Sequence, residues 1–316
     1  MIKNNAYDRL IVSSAPHLLS KMDTRKVMLY VILSLIPSLA VSTYVFGARA
    51  LTLTVACVAF CVILEYLFNV VTKREQTVQD LSAVVTGILL AFNLPSNFPF
   101  TLAFVGCLVA IIVVKQLFGG VGKNLVNPAI AARVVLLVSF PSQMTSWPVP
   151  RGSELDTLTG PTPLGILKEG GGELASNGDL FFGFVGGSLG EVSAIALLIG
   201  FAFLLYKKVV SPLIPVCYMG TVVLIALAAG VDPIFHLCAG GVVLGACFMA
   251  TDYVTSPMLP LGKIIFAIGC GAMTMAIRLF GSYPEGVSFA ILFMNVLVPH
   301  IDNLCMKLVL RGGGKK

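Results

Sequence analysis

At residues 27–47 the chain reads VMLYVILSLIPSLAVSTYVFG, an apolar run without a single charge. A helix rises about 1.5 Å per residue, so a run of this length spans the roughly 30 Å of bilayer hydrocarbon. Further apolar runs follow at 51–71, 80–93, 98–117, 125–141, 190–206, 210–229, 234–250, 262–281 and 287–305. They predict an all-α polytopic membrane protein of about ten transmembrane helices. Composition agrees: 57% of the 316 residues are hydrophobic and only 11% are charged, against about 25% charged in soluble domains.

The formal charge of +6 does not point to nucleic acid, because no basic stripe interleaved with aromatics occurs. Lys and Arg instead sit at the ends of apolar runs, as membrane topology requires. The opening MIKNNAYDRL lacks the pattern of a cleaved leader, so the first span is expected to be retained. The eight cysteines (57, 61, 107, 217, 238, 247, 270 and 305) form no CxxC pair and fall in or beside apolar runs. They are expected to be small core residues rather than metal ligands.

Orientation follows from the cations. With the N-terminus in the cytoplasm, 16 of the 21 Lys and Arg fall on the inner side. Only Arg49, Arg151, Lys168 and Arg278 fall on the outer side, and Arg133 lies within a span. This bias places both termini in the cytoplasm and the long connection, about 142–189, outside. Trp147, at its start, is expected to anchor at the interface. The chain then divides into residues 1–141 with five spans, the external loop 142–189, and residues 190–316 with five more spans and a cytoplasmic tail. Five spans before the loop and five after it make the halves opposite in orientation, the pattern of an inverted repeat. Gln116-Leu117-Phe118-Gly119 echoed by Arg278-Leu279-Phe280-Gly281 supports it. The stretches 80–93 and 125–141 are short for a crossing and carry Gly87, Asn93-Leu94-Pro95 and Asn127-Pro128. Interrupted spans of this kind are where transporters build their sites.

Within the external loop, Asp156-Thr157-Leu158-Thr159-Gly160-Pro161-Thr162-Pro163-Leu164-Gly165 is rich in hydroxyls, Gly and Pro. Two prolines around Thr162 predict an extended, hydroxyl-presenting loop rather than a helix. This stretch resembles the Ser-Gly-Ala-Thr-Pro-Leu flavinylation motif of RnfD, a membrane protein of the Rnf complex, and of its counterpart in the sodium-pumping NADH:quinone reductase. Thr159 stands in place of the motif's Ser and Pro161 in place of its Ala, while Gly160, Thr162, Pro163 and Leu164 match. Ser13-Ser14-Ala15-Pro16-His17 and Gly186-Gly187-Ser188-Leu189-Gly190-Glu191-Val192-Ser193 also resemble RnfD, so the likeness covers nearly the whole chain. The resemblance implies FMN joined by a phosphoester to the Thr162 hydroxyl, passing electrons one at a time. It also implies a role as one component of an ion-translocating ferredoxin:NAD+ oxidoreductase in a bacterial cytoplasmic membrane. The remaining components would bind ferredoxin and NAD, and a flavin transferase would mature the protein.

Gly122-Lys123-Asn124-Leu125-Val126-Asn127-Pro128 is no phosphate loop, since Asn follows the Lys and no Gly lies five residues earlier. Its plain reading is the start of a helix capped by Asn124. The resemblance adds a non-covalent riboflavin against Asn124 and Asn127, whose amides both donate and accept. Charges within spans are functional candidates because burying them in lipid is costly. Glu65 and Asp302 lie near cytoplasmic ends and are expected to reach water, and Arg133 needs a buried acid or a broken-helix neighbourhood. Asp252, at the polar break after Met249-Ala250, is the candidate for cation contact on the Na+ or H+ path. His17, His236 and His300 lack metal-ligand spacing and are expected to pack at interfaces. A stand-alone inverted-repeat channel or secondary transporter is the competing function.

Overall fold

The computed structural model describes residues 23–150, 159–160, 162–169, 176–183, 185–281 and 283–313. Among the expectations above, those on His17, Arg151, Asp156, Thr157, Leu158, Pro161 and the Ser13–Pro16 motif lie outside the described residues.

Each expected span corresponds to helix, but among the described residues only four helices are long and apolar enough to cross a membrane alone: α1 (Thr24–Phe46), α2 (Ala48–Val71), and the last two, Pro260–Phe280 and Val287–Leu310. The others are shorter. In the first half these are α3 (Ser82–Phe92), α4 (Phe100–Leu108, continued by the π-helical Val109–Gln116) and α5 (Pro128–Ser139). The 11 residues of α3 rise only about 16 Å. Such a helix ends inside the protein, and its terminal polar groups need protein partners there. Asn93, just past α3, donates to the Leu89 carbonyl at 2.6 Å, and the Leu94 carbonyl accepts from the Leu189 N–H at 3.1 Å.

Parts of the connecting segment are regular where the Pro/Gly pattern implies loop. A two-residue antiparallel bridge pairs β1 (Trp147–Pro148) with β2 (Thr159–Gly160), setting Trp147 opposite Gly160. Helices α6 (Pro163–Glu169) and α7 (Asn177–Phe182) follow. Trp147 is therefore not a free interfacial anchor: its backbone is in the bridge and its side chain is buried.

In the second half, α8 (Ala194–Tyr206) packs on α1, and α9 (Leu213–Ala228) packs on α12 (Pro260–Phe280). The span expected at 234–250 is broken. It consists of α10 (Pro233–Cys238), a kink at Ala239-Gly240-Gly241, and α11 (Val242–Leu244), which continues as the π-helical Gly245–Met249. The kink needs glycine, because Gly240 has φ +69°. Helix α13 (Val287–Gly313) closes the bundle. Seven cysteines (57, 61, 107, 238, 247, 270 and 305) are buried core residues, as expected, and Cys217 is half-buried.

Candidate functional site

The buried charges collect at the two ends of the bundle. At the end bearing the 142–189 connection, Arg133 projects from α5 with 4% of its surface exposed. Its guanidinium donates to Asn93 Oδ1 at 2.7 Å, to Glu191 Oε1 at 3.0 Å and to a Glu285 carboxylate oxygen. The in-span cation thus has two acids rather than one, Glu191 buried and Glu285 partly buried. Glu191 stands in the 3-10 turn Leu189–Glu191 and Glu285 in the connection from α12 to α13. Burial pushes the Glu285 carboxyl up to about 7, reinforced by the Glu191 charge and opposed by Arg133 and Arg278.

Arg278, on α12, is likewise buried. It donates to the carbonyls of His236 and Ala239, the latter at 2.8 Å. These are the free carbonyls at the C-terminal end of α10, so the cation also meets the negative pole of that short helix. The glycine kink makes room for this convergence. A Cβ on Gly240 would lie 2.8 Å from Leu164 Cδ1 and 3.1 Å from Arg278 Nη2, and one on Gly241 would lie 2.6 Å from Glu191 Oε1.

Thr162 opens onto the same place. A small cavity of about 10 Å³ is lined by Thr162, Pro163, Leu164, Gly240, Glu191 and Glu285 among others. The expected extended loop is absent at Thr162, which caps α6. Its Oγ1 accepts from the Gly165 N–H at 3.1 Å, and its carbonyl accepts from the Ile166 N–H at 2.9 Å. Pro163 does not oppose this helix, since the first helical position is where a missing N–H and a fixed φ do no harm. Among the described residues the Thr162 hydroxyl proton meets no acceptor, so an ester on that oxygen removes no donated hydrogen bond. The residues present therefore fit a phosphoester at Thr162. The cavity has room for about one water, so it would not enclose a flavin ring. Gly160, across the bridge from Trp147, brings the chain to this point.

The opposite end holds a larger cavity, about 110 Å³, between the starts of α1 and α3, the end of α8 and the turn after α11. Asn124, Asn127, Lys115, Ser82, Thr86 and Asp252 supply its polar lining. Here the two asparagines separate. Asn127, not Asn124, caps α5: its Oδ1 accepts from the N–H groups of Ala129 at 3.0 Å and Ile130 at 3.3 Å. Its Nδ2 donates to the Met249 carbonyl at 3.3 Å, and its N–H donates to Asn295, whose amide also donates to the Thr255 carbonyl. Asn124 Oδ1 is buried without a partner among the described residues. An orphaned acceptor beside a cavity fits an N–H donor of a bound heterocycle, such as a flavin's pyrimidine edge. The cavity is smaller than the roughly 300 Å³ at which small-molecule sites begin, so a flavin would occupy it only in part. Asp252 accepts from Thr255 Oγ1 at 3.1 Å, and burial pushes its carboxyl up.

Glu65 departs from expectation. It does not reach water: it is fully buried, with Lys115 Nζ at 2.7 Å, Thr77 Oγ1 at 2.7 Å and Gln116 Nε2 at 3.0 Å. Lys115 also donates to Ser82 Oγ at 2.6 Å. The π-helical turn at Val109–Gln116 puts Lys115 and Gln116, adjacent in sequence, on this one carboxylate. Asp302 is half-buried and accepts from the Met258 N–H at 3.2 Å. His236 is buried edge-on to Phe235, with Nδ1 unpartnered among the described residues, while His300 is exposed. Glu191, Glu285, Arg278 and Lys115 do not stand out as site residues in the sequence. The available signal is Arg133 itself, an in-span cation that requires acids from flanking segments.

Interrupted helices, with buried ion pairs at both ends of the bundle, characterise a multi-pass α-helical membrane protein. The chain belongs to the NQR2, RnfD, RnfE family, whose profile matches residues 11–311. It is 52% identical over 297 residues to the D component of the Na(+)-translocating ferredoxin:NAD(+) oxidoreductase complex of Acetobacterium woodii, covering 93% of this chain and 92% of that one. Its identity to the D component of the proton-translocating ferredoxin:NAD(+) oxidoreductase complex of Clostridium ljungdahlii is 41%, covering 95% of each chain. With the D component of the ion-translocating oxidoreductase complex of Stutzerimonas stutzeri it shares 42% over 89% of this chain and 90% of the other.

Proposed function

We propose that the chain is the membrane flavoprotein component of a redox-driven ion pump of the ferredoxin:NAD+ oxidoreductase type. In this reading it carries FMN as a phosphoester on Thr162 and works only together with other membrane and peripheral subunits. The observation that carries the reading is the state of the Thr162 hydroxyl. It occupies the family's acceptor position, its oxygen is held by Gly165, and among the described residues its proton is uncommitted. FMN would supply the one-electron chemistry, and the protein would supply position and electrostatics.

Asn124 is the residue proposed to meet a non-covalent riboflavin, with Asn127 holding the wall of that cavity as the α5 cap. Asp252, on the same cavity, is proposed to contact the transported cation. The relatives' names divide between Na+ and H+, so likeness does not choose the ion. The charge bias assigns the Asn124 cavity to the cytoplasm and Thr162 to the outer face of a bacterial cytoplasmic membrane. A stand-alone channel would share the interrupted helices, but it gives no reason for the threonine-proline motif. The relatives, named as components of complexes, also weigh against it.

The test is flavin fluorescence of the denatured protein on a gel, purified from cells that contain the flavin transferase. The band is expected in wild type and in Thr159→Ala, and absent in Thr162→Ala. A dark wild-type band overturns the covalent reading.

A further inference from the structure

The Thr162 cavity is walled by two carboxylates, which is unexpected beside a group proposed to carry a phosphodiester. Glu191 and Glu285 both line it and both lean on Arg133. Arg278 stands behind Gly240, its Nη groups committed to backbone carbonyls rather than to an acid. Other titratable groups nearby are Cys238 in the cavity wall, His236 behind Arg278, and Lys168, which donates to the carbonyls of Gly281 and Tyr283 in the connection that carries Glu285. Arg133 alone pairs with both carboxylates, Arg278 lies behind the wall, and the formal charges of these four groups cancel.

A phosphodiester fixed on Thr162 adds one negative charge within a few ångströms of this balance. In a buried site such a charge is compensated by proton uptake at the nearest carboxylate that water can reach. The two acids differ in that respect. The Glu191 side chain is 3% exposed and the Glu285 side chain 15%.

We propose that Glu285 is the proton-loading residue of the Thr162 pocket, taking a proton from the adjoining water when a phosphodiester adds negative charge at Thr162. The proton binds a Glu285 carboxylate oxygen, Arg133 keeps Glu191 as its ionised partner, and the pocket stays neutral. No electron moves in this step. The inference deepens the reading of Thr162 as a flavin carrier and rests on it.

The experiment uses the full chain in lipid nanodiscs, with wild type made in the presence of the flavin transferase and Thr162→Ala made beside it. Infrared difference spectra across a pH titration follow the carboxylic-acid C=O stretch, and the part of the signal lost in Glu285→Gln belongs to Glu285. Its midpoint is expected to lie about one pH unit or more higher in flavinylated wild type than in Thr162→Ala, a tenfold or larger gain in proton affinity. Equal midpoints overturn the proposal, as does a titrating band that persists in Glu285→Gln. If Glu285→Gln does not fold, Glu191→Gln must keep the band, and its loss there overturns the assignment. A wild-type protein without gel fluorescence fails the Thr162 reading itself, whereas a fluorescent protein with an unshifted midpoint fails only Glu285.

Discussion

Lys115 Nζ lies 2.7 Å from Glu65 Oε2, with both side chains removed from water. Each would be costly to bury alone, and each is held further: Glu65 accepts from Thr77 and Gln116, and Lys115 donates to Ser82. A buried pair of this kind contributes little relative to a well-packed apolar pair, but breaking it leaves an uncompensated charge. Glu65→Gln alone is expected to destabilise by about 3–5 kcal/mol. Glu65→Gln combined with Lys115→Met should recover most of that loss. Thermal unfolding in detergent measures both, and equal losses in the single and double variants would contradict the pairing.

The two asparagines of the inner cavity should separate in the same assay. Asn127→Ala removes the α5 cap and the link to Met249, and should cost about 0.5–2 kcal/mol. Asn124→Ala deletes a buried acceptor that has no partner, so its effect should stay within about 0.5 kcal/mol. If riboflavin binds, Asn124→Ala should nevertheless lower the flavin released by denaturation without touching the covalent band. A stability loss at Asn124 matching that at Asn127 would mean that Asn124 is structural.

The spans are legible in the sequence because lipid imposes a simple demand: apolar length sets the crossing, and cations mark the side. Arg133 is legible for the same reason, as a charge in an apolar run. What pairs with it is not, because Glu191 and Glu285 lie 58 and 152 residues away in sequence and look like ordinary loop acids. Glu65 is misleading because distance from a span end does not reveal that a π-helical turn brings Lys115 and Gln116 onto it. At Thr162 the prolines read as breakers, although Pro163 sits at the one helical position that tolerates it. The preference of Asn127 over Asn124 as cap is readable too, since Pro128 follows it directly and marks the first helical residue.

Gly240 should be sensitive beyond its size. Its φ of +69° disfavours any side chain, and an added methyl would press on Leu164 and Arg278. Gly240→Ala is expected to cost about 1–3 kcal/mol and to shift α6, which carries Thr162. The checks are the melting temperature and the fraction of protein bearing covalent flavin, and both should fall. Gly230→Ala is the control, because it shares a positive φ of 71° and a Cβ there meets nothing within 4 Å. It should lose stability through backbone strain alone and keep its flavin.

Glu285 makes stability depend on pH with a defined sign. Its carboxyl is held up to about 7 in the folded chain against an ordinary value of 4.5, so the folded state binds the proton more tightly than the unfolded one. Below the ordinary value both states are protonated and the group contributes nothing to the difference. As pH rises from about 4.5 to 7, the unfolded chain gains more by ionising, and folding loses up to about 3 kcal/mol at this residue. The loss is complete above the folded value and does not grow further. Unfolding of Thr162→Ala protein, which lacks any charge added at that position, should therefore become easier between about pH 5 and 7.5. The double variant Thr162→Ala/Glu285→Gln should lose this part of the slope, although its stability at any one pH also reflects the broken contact with Arg133. Parallel pH curves for the two proteins would mean that the Glu285 carboxyl titrates in the folded chain as it does in water.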